Sequence, residues 1–185
     1  LVALQDPGLA VFPTHRLLDN VGDPATQERL GTALKELFEI ERLARVEDLR
    51  PPDGTGPLTM GYLDAHFKQP FRLTLKDQAI ADDALAHMPE PYRRLDTAVL
   101  EALVLQRTLG MTEDDVAHLN GLGYSRTDEE AVELITSGRY HCGFFLRASP
   151  VEQVREIAAA GVNMPPKSTF FHPKVPTGLI FSPLS

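Results

Sequence analysis

The chain has 185 residues, 26 acidic against 18 basic side chains, and a formal net charge of -8. Its 43% hydrophobic content suffices for a packed core and excludes general disorder. The acidic balance argues against a general nucleic-acid binder, and no run approaches the roughly 20 apolar residues of a membrane span.

The first apolar runs, residues 1–4 and 9–12, flank Asp6-Pro7-Gly8 and predict strand, turn and strand. Asp23-Pro24 predicts a helix start, and Leu30, Ala33, Leu34, Leu37 and Phe38 carry helical spacing to residue 38. Residues 50–57, rich in Pro and Gly, predict a mobile loop. Two strand-like runs, 58–67 and 71–75, predict a hairpin around Gln69-Pro70. Residues 92–109 predict the longest helix, stopped by Gly110, and Thr112 predicts a cap for a short one. Further on come a strand at 122–124, a helix from Thr127 to Ile135, a strand at 140–146, a helix opened by Ser149-Pro150 and ended at Gly161, and a closing strand at 177–181. This order predicts an α+β (mixed α/β) fold: a single domain over residues 1–185, with a mixed sheet and flanking helices.

One cysteine, Cys142, excludes an internal disulfide and favours a reducing, cytoplasmic setting. It alternates with Phe144 on an apolar strand, which predicts a buried, inert thiol with neighbouring His141 on the opposite face. The six histidines lack the close ligand spacing of a zinc site, so no metal ligand set is assigned. The acidic runs at 82–83 and 113–115 suit helix ends or solvated faces better than magnesium. The chain starts at Leu1 inside an apolar run, which reads as a fragment of something longer.

Two segments carry candidate chemistry. Two prolines precede Lys167, Ser168 and Thr169, and no acidic residue follows Glu156, so this tail is locally positive. An ammonium, two hydroxyls and a second ammonium at Lys174 suit a phosphate or another small anion. A Walker A loop is excluded, because Pro166 stands where that loop needs a glycine N–H. The same residues also suit a structural crossover, with hydroxyls bonded to nearby backbone. The second segment is Pro13-Thr14-His15-Arg16, directly after a predicted strand. His15 suits an acid or base and Arg16 a two-pronged clamp on an oxyanion; a surface turn is the alternative.

The string from Met164 to Lys174, followed by Gly178-Leu179, resembles the closing signature of a bacterial family, the domain-of-unknown-function family numbered 1015. Pro13-Thr14-His15-Arg16 is similar to a second motif of that family. The resemblance covers essentially the whole chain, and His172 departs from it where Tyr is the more usual residue. It implies that the chain is the C-terminal half of a protein about twice as long. It further implies that the other half carries a motif like that of ParB-like and free-serine-kinase proteins, which bind nucleotide phosphates. On that analogy the expected activity is a nucleotide-dependent phosphotransferase or nucleotide hydrolase using magnesium. Lys167, Ser168, Thr169 and Lys174 would bind phosphate, with His15 and Arg16 as the catalytic pair. A non-catalytic regulatory or structural module is the alternative. Its Pro-rich tail, with Phe170 and Phe171, would pack against the other half or a second copy in a homo-oligomer.

Overall fold

The structure is a computed structural model that describes residues 8–174. The runs expected to be strands at 1–4 and 177–181 lie outside the described residues. Among these, no helix is long and apolar enough to cross a membrane.

Helix α1, Pro24–Leu37, starts where the Asp23 carboxylate accepts the Thr26 N–H at 2.9 Å. Its buried face is Leu30 and Leu34. It ends without a loop, because Phe38 turns extended and begins β3, Phe38–Arg42. The helical spacing of α1 runs on to Phe38, yet Phe38-Glu39-Ile40-Glu41 alternates apolar and polar and forms a strand at the edge of the sheet, with four of its five residues exposed. The expected hairpin forms from β4, Thr59–Asp64, and β5, Phe71–Leu75, with Tyr62 opposite Phe71.

The predicted helix over 92–109 is broken. Short helices α2, Gln78–Ala84, and α3, Glu90–Arg93, precede α4, Asp96–Val99, which widens into a π-helical stretch at Leu100–Gln106. Leu100, Leu103, Val104 and Leu105 are all buried there, more than one face of a regular α-helix could sink. Helix α5, Glu113–His118, has a full capping box between Thr112 and Asp115. Then follow β6, Leu122–Ser125; α6, Asp128–Thr136, capped by Thr127; β7, Cys142–Phe145; and α7, Val151–Ala159.

Six strands form one sheet in the order β3-β5-β4-β7-β2-β6, where β2 is His15–Leu18. Every pairing in it is antiparallel, so the sheet is not the mixed one expected, and the fold is of the α+β class with helices flanking the sheet. A separate two-stranded ribbon joins β1, Ala10–Phe12, to β8, Phe170–His172, with Val11 opposite Phe171. Phe170 and Phe171 are therefore half-buried in a ribbon.

Two apolar layers sandwich the sheet. The larger contains Leu18, Leu34, Met60, Leu103, Phe144 and Ile157. The smaller contains Leu17, Leu49, Leu63, Ile135 and Phe145. Alternation along β2 sends Leu17 to one layer and Leu18 to the other. On the smaller side the chain at Leu49 crosses so close to Gly61 that a Cβ there would collide with the Leu49 carbonyl. Gly61→Ala should therefore lower stability by about 1–3 kcal/mol in chemical denaturation, since the backbone at residue 49 has to move.

Candidate functional site

The Thr-His-Arg motif does not follow a strand into a turn: His15 and Arg16 are themselves the first residues of β2. As strand neighbours they point to opposite faces, so the sheet separates the two side chains. Both are buried, His15 at 0% and Arg16 at 2% exposure.

His15 faces the smaller layer. Its ring leans on Phe145 at 5.0 Å, and its Nδ1 accepts the Leu146 N–H at 3.1 Å. With Nδ1 accepting, the ring proton sits on Nε2, which lies 2.8 Å from Asp128 Oδ1 at the start of α6. The hydrogen bond from His15 holds the Asp128 carboxyl below its ordinary range, against its burial and helped by the charge of Arg50 at 3.7 Å. His15 thus ties β2 and the chain just past β7 to α6.

Arg16 faces the larger layer. Its guanidinium lies 4.6 Å over the Tyr124 ring. Nη1 donates to the carbonyls of Thr14 at 2.8 Å and Lys167 at 3.1 Å, and Nη2 donates to Pro166 at 3.0 Å. Burial lowers its pKa to about 10, with Tyr124 and Glu101 opposing the shift, so it is charged at neutral pH. These donors reach from residue 16 to the closing loop and pull its turn onto the sheet.

The turn itself is built by Ser168. Its Oγ donates to the Pro165 carbonyl at 2.7 Å, and its N–H points to the same oxygen at 3.3 Å. Thr97 Oγ1 lies 3.0 Å from the Ser168 Oγ, and the Ser149 hydroxyl donates to the Ser168 carbonyl at 3.3 Å. Ser168 is 4% exposed, so its hydroxyl faces the fold and not solvent. Lys167 takes the left-handed conformation, φ 56°, and its side chain is exposed. Thr169 is half-buried.

Lys174 places its Nζ 4.7 Å over the Phe170 ring, and Arg126 places its guanidinium 4.3 Å over the same ring. Arg126 was not singled out in the sequence; it sits one residue past β6 and has no spacing signal of its own. Among the described residues, Arg126, Lys167 and Lys174 are all exposed and none forms a salt bridge. Close by, the Tyr124 hydroxyl is buried with no hydrogen-bond partner among the described residues, and burial raises its pKa. Thr97 and Ser149 also line a cleft of about 360 Å³ with Gly54, Thr55 and Arg147.

Arg147 holds that cleft's wall. It meets the buried Asp96 carboxylate through Nε at 2.6 Å and Nη2 at 3.1 Å, and also donates to the carbonyls of Gly56 and Pro57. The Ala148 N–H donates to Asp53 at 2.9 Å. The 50–57 segment, expected to be mobile, is thus tied by three residues to the strand end beyond β7. Burial raises the Asp96 pKa, and Arg147 opposes that rise.

Cys142 is buried, its thiol pushed up to about 12 by burial. His141 precedes β7, in a bend where strand alternation does not yet apply, so the two residues line one cavity rather than opposite faces. Among the described residues no group of three or more His, Cys, Asp or Glu could hold a metal.

No family model matches the chain, and no curated protein does. Solved structures do. A conserved hypothetical protein from Pyrococcus furiosus has TM-score 0.53 and 18% identity, over 95% of this chain and 61% of its own. A free serine kinase variant in complex with AMP has TM-score 0.51 and 15% identity, over 92% of this chain and 56% of its own. The same kinase in complex with ADP, again as a variant, has TM-score 0.50 and 16% identity over the same shares. The chain spans 56% to 61% of the length of these structures. At such identities the likeness is one of fold.

Two outcomes test the roles of His15 and Arg16. Arg16→Met should lower stability by about 3 kcal/mol or more and expose the chain near Lys167 to protease, because three carbonyls lose their donor. Arg16→Lys should rescue little, since one ammonium cannot span them. For Asp128 the folded pKa is depressed, so its contribution is present above the ordinary carboxylate pKa and lost as pH falls through the lowered value. The melting temperature of the wild type should therefore drop more steeply than that of Asp128→Asn between about pH 4 and pH 2.

Proposed function

We propose that the chain is part of a nucleotide-dependent, kinase-type phosphotransferase whose nucleotide phosphates are received at the cationic face around Lys167. The observation that carries this reading is the arrangement of the closing loop. A buried guanidinium fixes the backbone at Pro166 and Lys167, so the Lys167 ammonium projects outward, on the segment that also brings Lys174 to Arg126. Three exposed cations with no acidic partner among the described residues offer charge to a polyphosphate at little desolvation cost. The fold likeness to a serine kinase solved with AMP and with ADP supports the choice of a nucleotide over a simpler anion.

In this reading Lys167, Lys174 and Arg126 neutralise phosphate oxygens and Thr169 is the hydroxyl placed to orient one. Ser168 and Arg16 shape the turn from behind and do not touch the ligand. His15 lies across the sheet against Asp128 and positions α6. The donor set fits phosphate. Among the described residues it offers no acidic cluster for magnesium, which a nucleotide would bring on its own phosphates and water.

The test is calorimetric titration and thermal shift with AMP, ADP and ATP, with and without magnesium. A nucleotide at about a hundred times its dissociation constant should add about 2.7 kcal/mol of stability. Lys167→Ala should weaken binding about tenfold, equivalent to about 1.4 kcal/mol, and the triple alanine variant at 126, 167 and 174 should abolish it. Undiminished binding by the triple variant would move the site elsewhere. No binding by a folded wild type would leave the turn as a purely structural crossover.

A further inference from the structure

The ribbon of β1 and β8 carries a cluster of rings beside the cations that receive phosphate. Its ladder sets Ala10 opposite His172 and Phe12 opposite Phe170. Strand alternation puts these four residues on one face, with Val11 and Phe171 on the other. Ring centroids lie 6.4 Å apart for Phe12 and Phe170, 5.8 Å for Phe12 and His172, and 6.4 Å for Phe170 and His172. Three corners of a four-residue patch are therefore aromatic. The fourth, Ala10, holds only a methyl group.

Charge and open ring surface are segregated on this patch. Phe170 is half-buried, and its ring is the one that Arg126 and Lys174 cover, at 4.3 and 4.7 Å. Phe12 is 40% exposed, one of four large apolar residues left exposed among the described residues, and no cation lies over it there. His172 is exposed as well. Exposed aromatic surface is unfavourable in water, and pairing the ribbon does not require it.

Two exposed rings, an open corner bordered by both, and unpaired cations one ring away match the parts of a nucleotide. A base stacks on aromatic rings without any hydrogen-bond readout, because every base has a π-face. The sugar of a nucleoside 5′-phosphate separates base from phosphate by about the spacing of neighbouring rings here. A bare phosphate would leave the rings uncovered, and an apolar molecule would leave the cations unpaired.

We propose that the Ala10 corner, bordered by Phe12 and His172, receives the base of the nucleotide whose phosphates meet Arg126 and Lys174. This site presupposes the nucleotide reading above and adds the position of the base. Phe12 and His172 are the stacking residues. Arg126 and Lys174 keep their outward N–H groups for phosphate oxygens. Purine nucleotides bind better than pyrimidine ones at such a corner, because the larger base covers more of both rings.

The experiment titrates the intact chain calorimetrically with ATP, CTP and inorganic tripolyphosphate. Wild-type protein should bind ATP about tenfold more tightly than tripolyphosphate, with CTP between them, although tripolyphosphate is the more highly charged anion. Ala10→Phe fills the fourth corner and suits a strand, and should weaken ATP binding at least about tenfold. Phe12→Leu keeps an apolar side chain without a π-face, and should weaken it about fivefold. Both variants should bind tripolyphosphate as the wild type does, which separates a lost base contact from a disrupted ribbon. Tripolyphosphate bound as tightly as ATP, or ATP affinity unchanged in both variants, overturns the base site and leaves the phosphate site standing. Failure of the wild type to bind either ligand overturns the phosphate site, and the base site with it.

Discussion

A buried guanidinium held by backbone carbonyls, with no salt bridge among the described residues, is the constraint around which this molecule is arranged. Arg16 lies over the Tyr124 ring and gives its donors to three backbone carbonyls, two of them about 150 residues away in sequence. Removing such a cation from water is unfavourable unless its donors are satisfied. Its depressed pKa records that opposition. Only the turn at Pro166 and Lys167, supplying two carbonyls at once, completes the solution. The closing loop is therefore part of the sheet's interior chemistry, and the position of Lys167 on the surface is a consequence.

The turn has a second anchor of different chemistry. Ser168 is held by Pro165, Thr97 and Ser149, which links the closing loop to the start of α4 and to the chain after β7. Asp96, the neighbour of Thr97, pairs with Arg147, and Arg147 reaches the carbonyls at 56 and 57. Segments from four parts of the chain thus meet at one edge of the fold through hydrogen bonds rather than apolar packing. Such a junction is rigid where its groups are satisfied. The cationic side chains just outside it project from a fixed backbone.

Local signals were the ones readable without a structure. The Asp23-Pro24 start of α1, the capping box at Thr112, the Thr127 cap and the hairpin around Gln69-Pro70 each depend on residues a few positions apart. Long-range features were not readable. Strand β3 alternates over only Phe38-Glu39-Ile40-Glu41, and Phe38 also continues the helical spacing of α1, so the local signal is shared between two elements. The stretch from 92 to 109 reads as one helix because its apolar residues are dense, yet burial on several sides breaks it and widens its second half. Ser168 reads as a phosphate ligand by residue type, and its neighbours in space turn it inward. Arg126 reads as an ordinary surface residue until β8 brings Phe170 under it.

By itself the sequence determined the α+β class, the helix caps, the hairpin, the buried thiol and the positive character of the closing segment. These follow from composition and short-range spacing, which act through local backbone preferences and hydrophobic period. Tertiary structure alone decided which face each residue of β2 occupies, which carbonyls satisfy Arg16, and that β1 pairs with β8. It also decided that Phe12, Phe170 and His172 share one face of the ribbon around an open corner at Ala10. The physical reason is the same in each case. A buried polar group or an open volume is defined by what surrounds it, and those surroundings come from residues far apart in the chain.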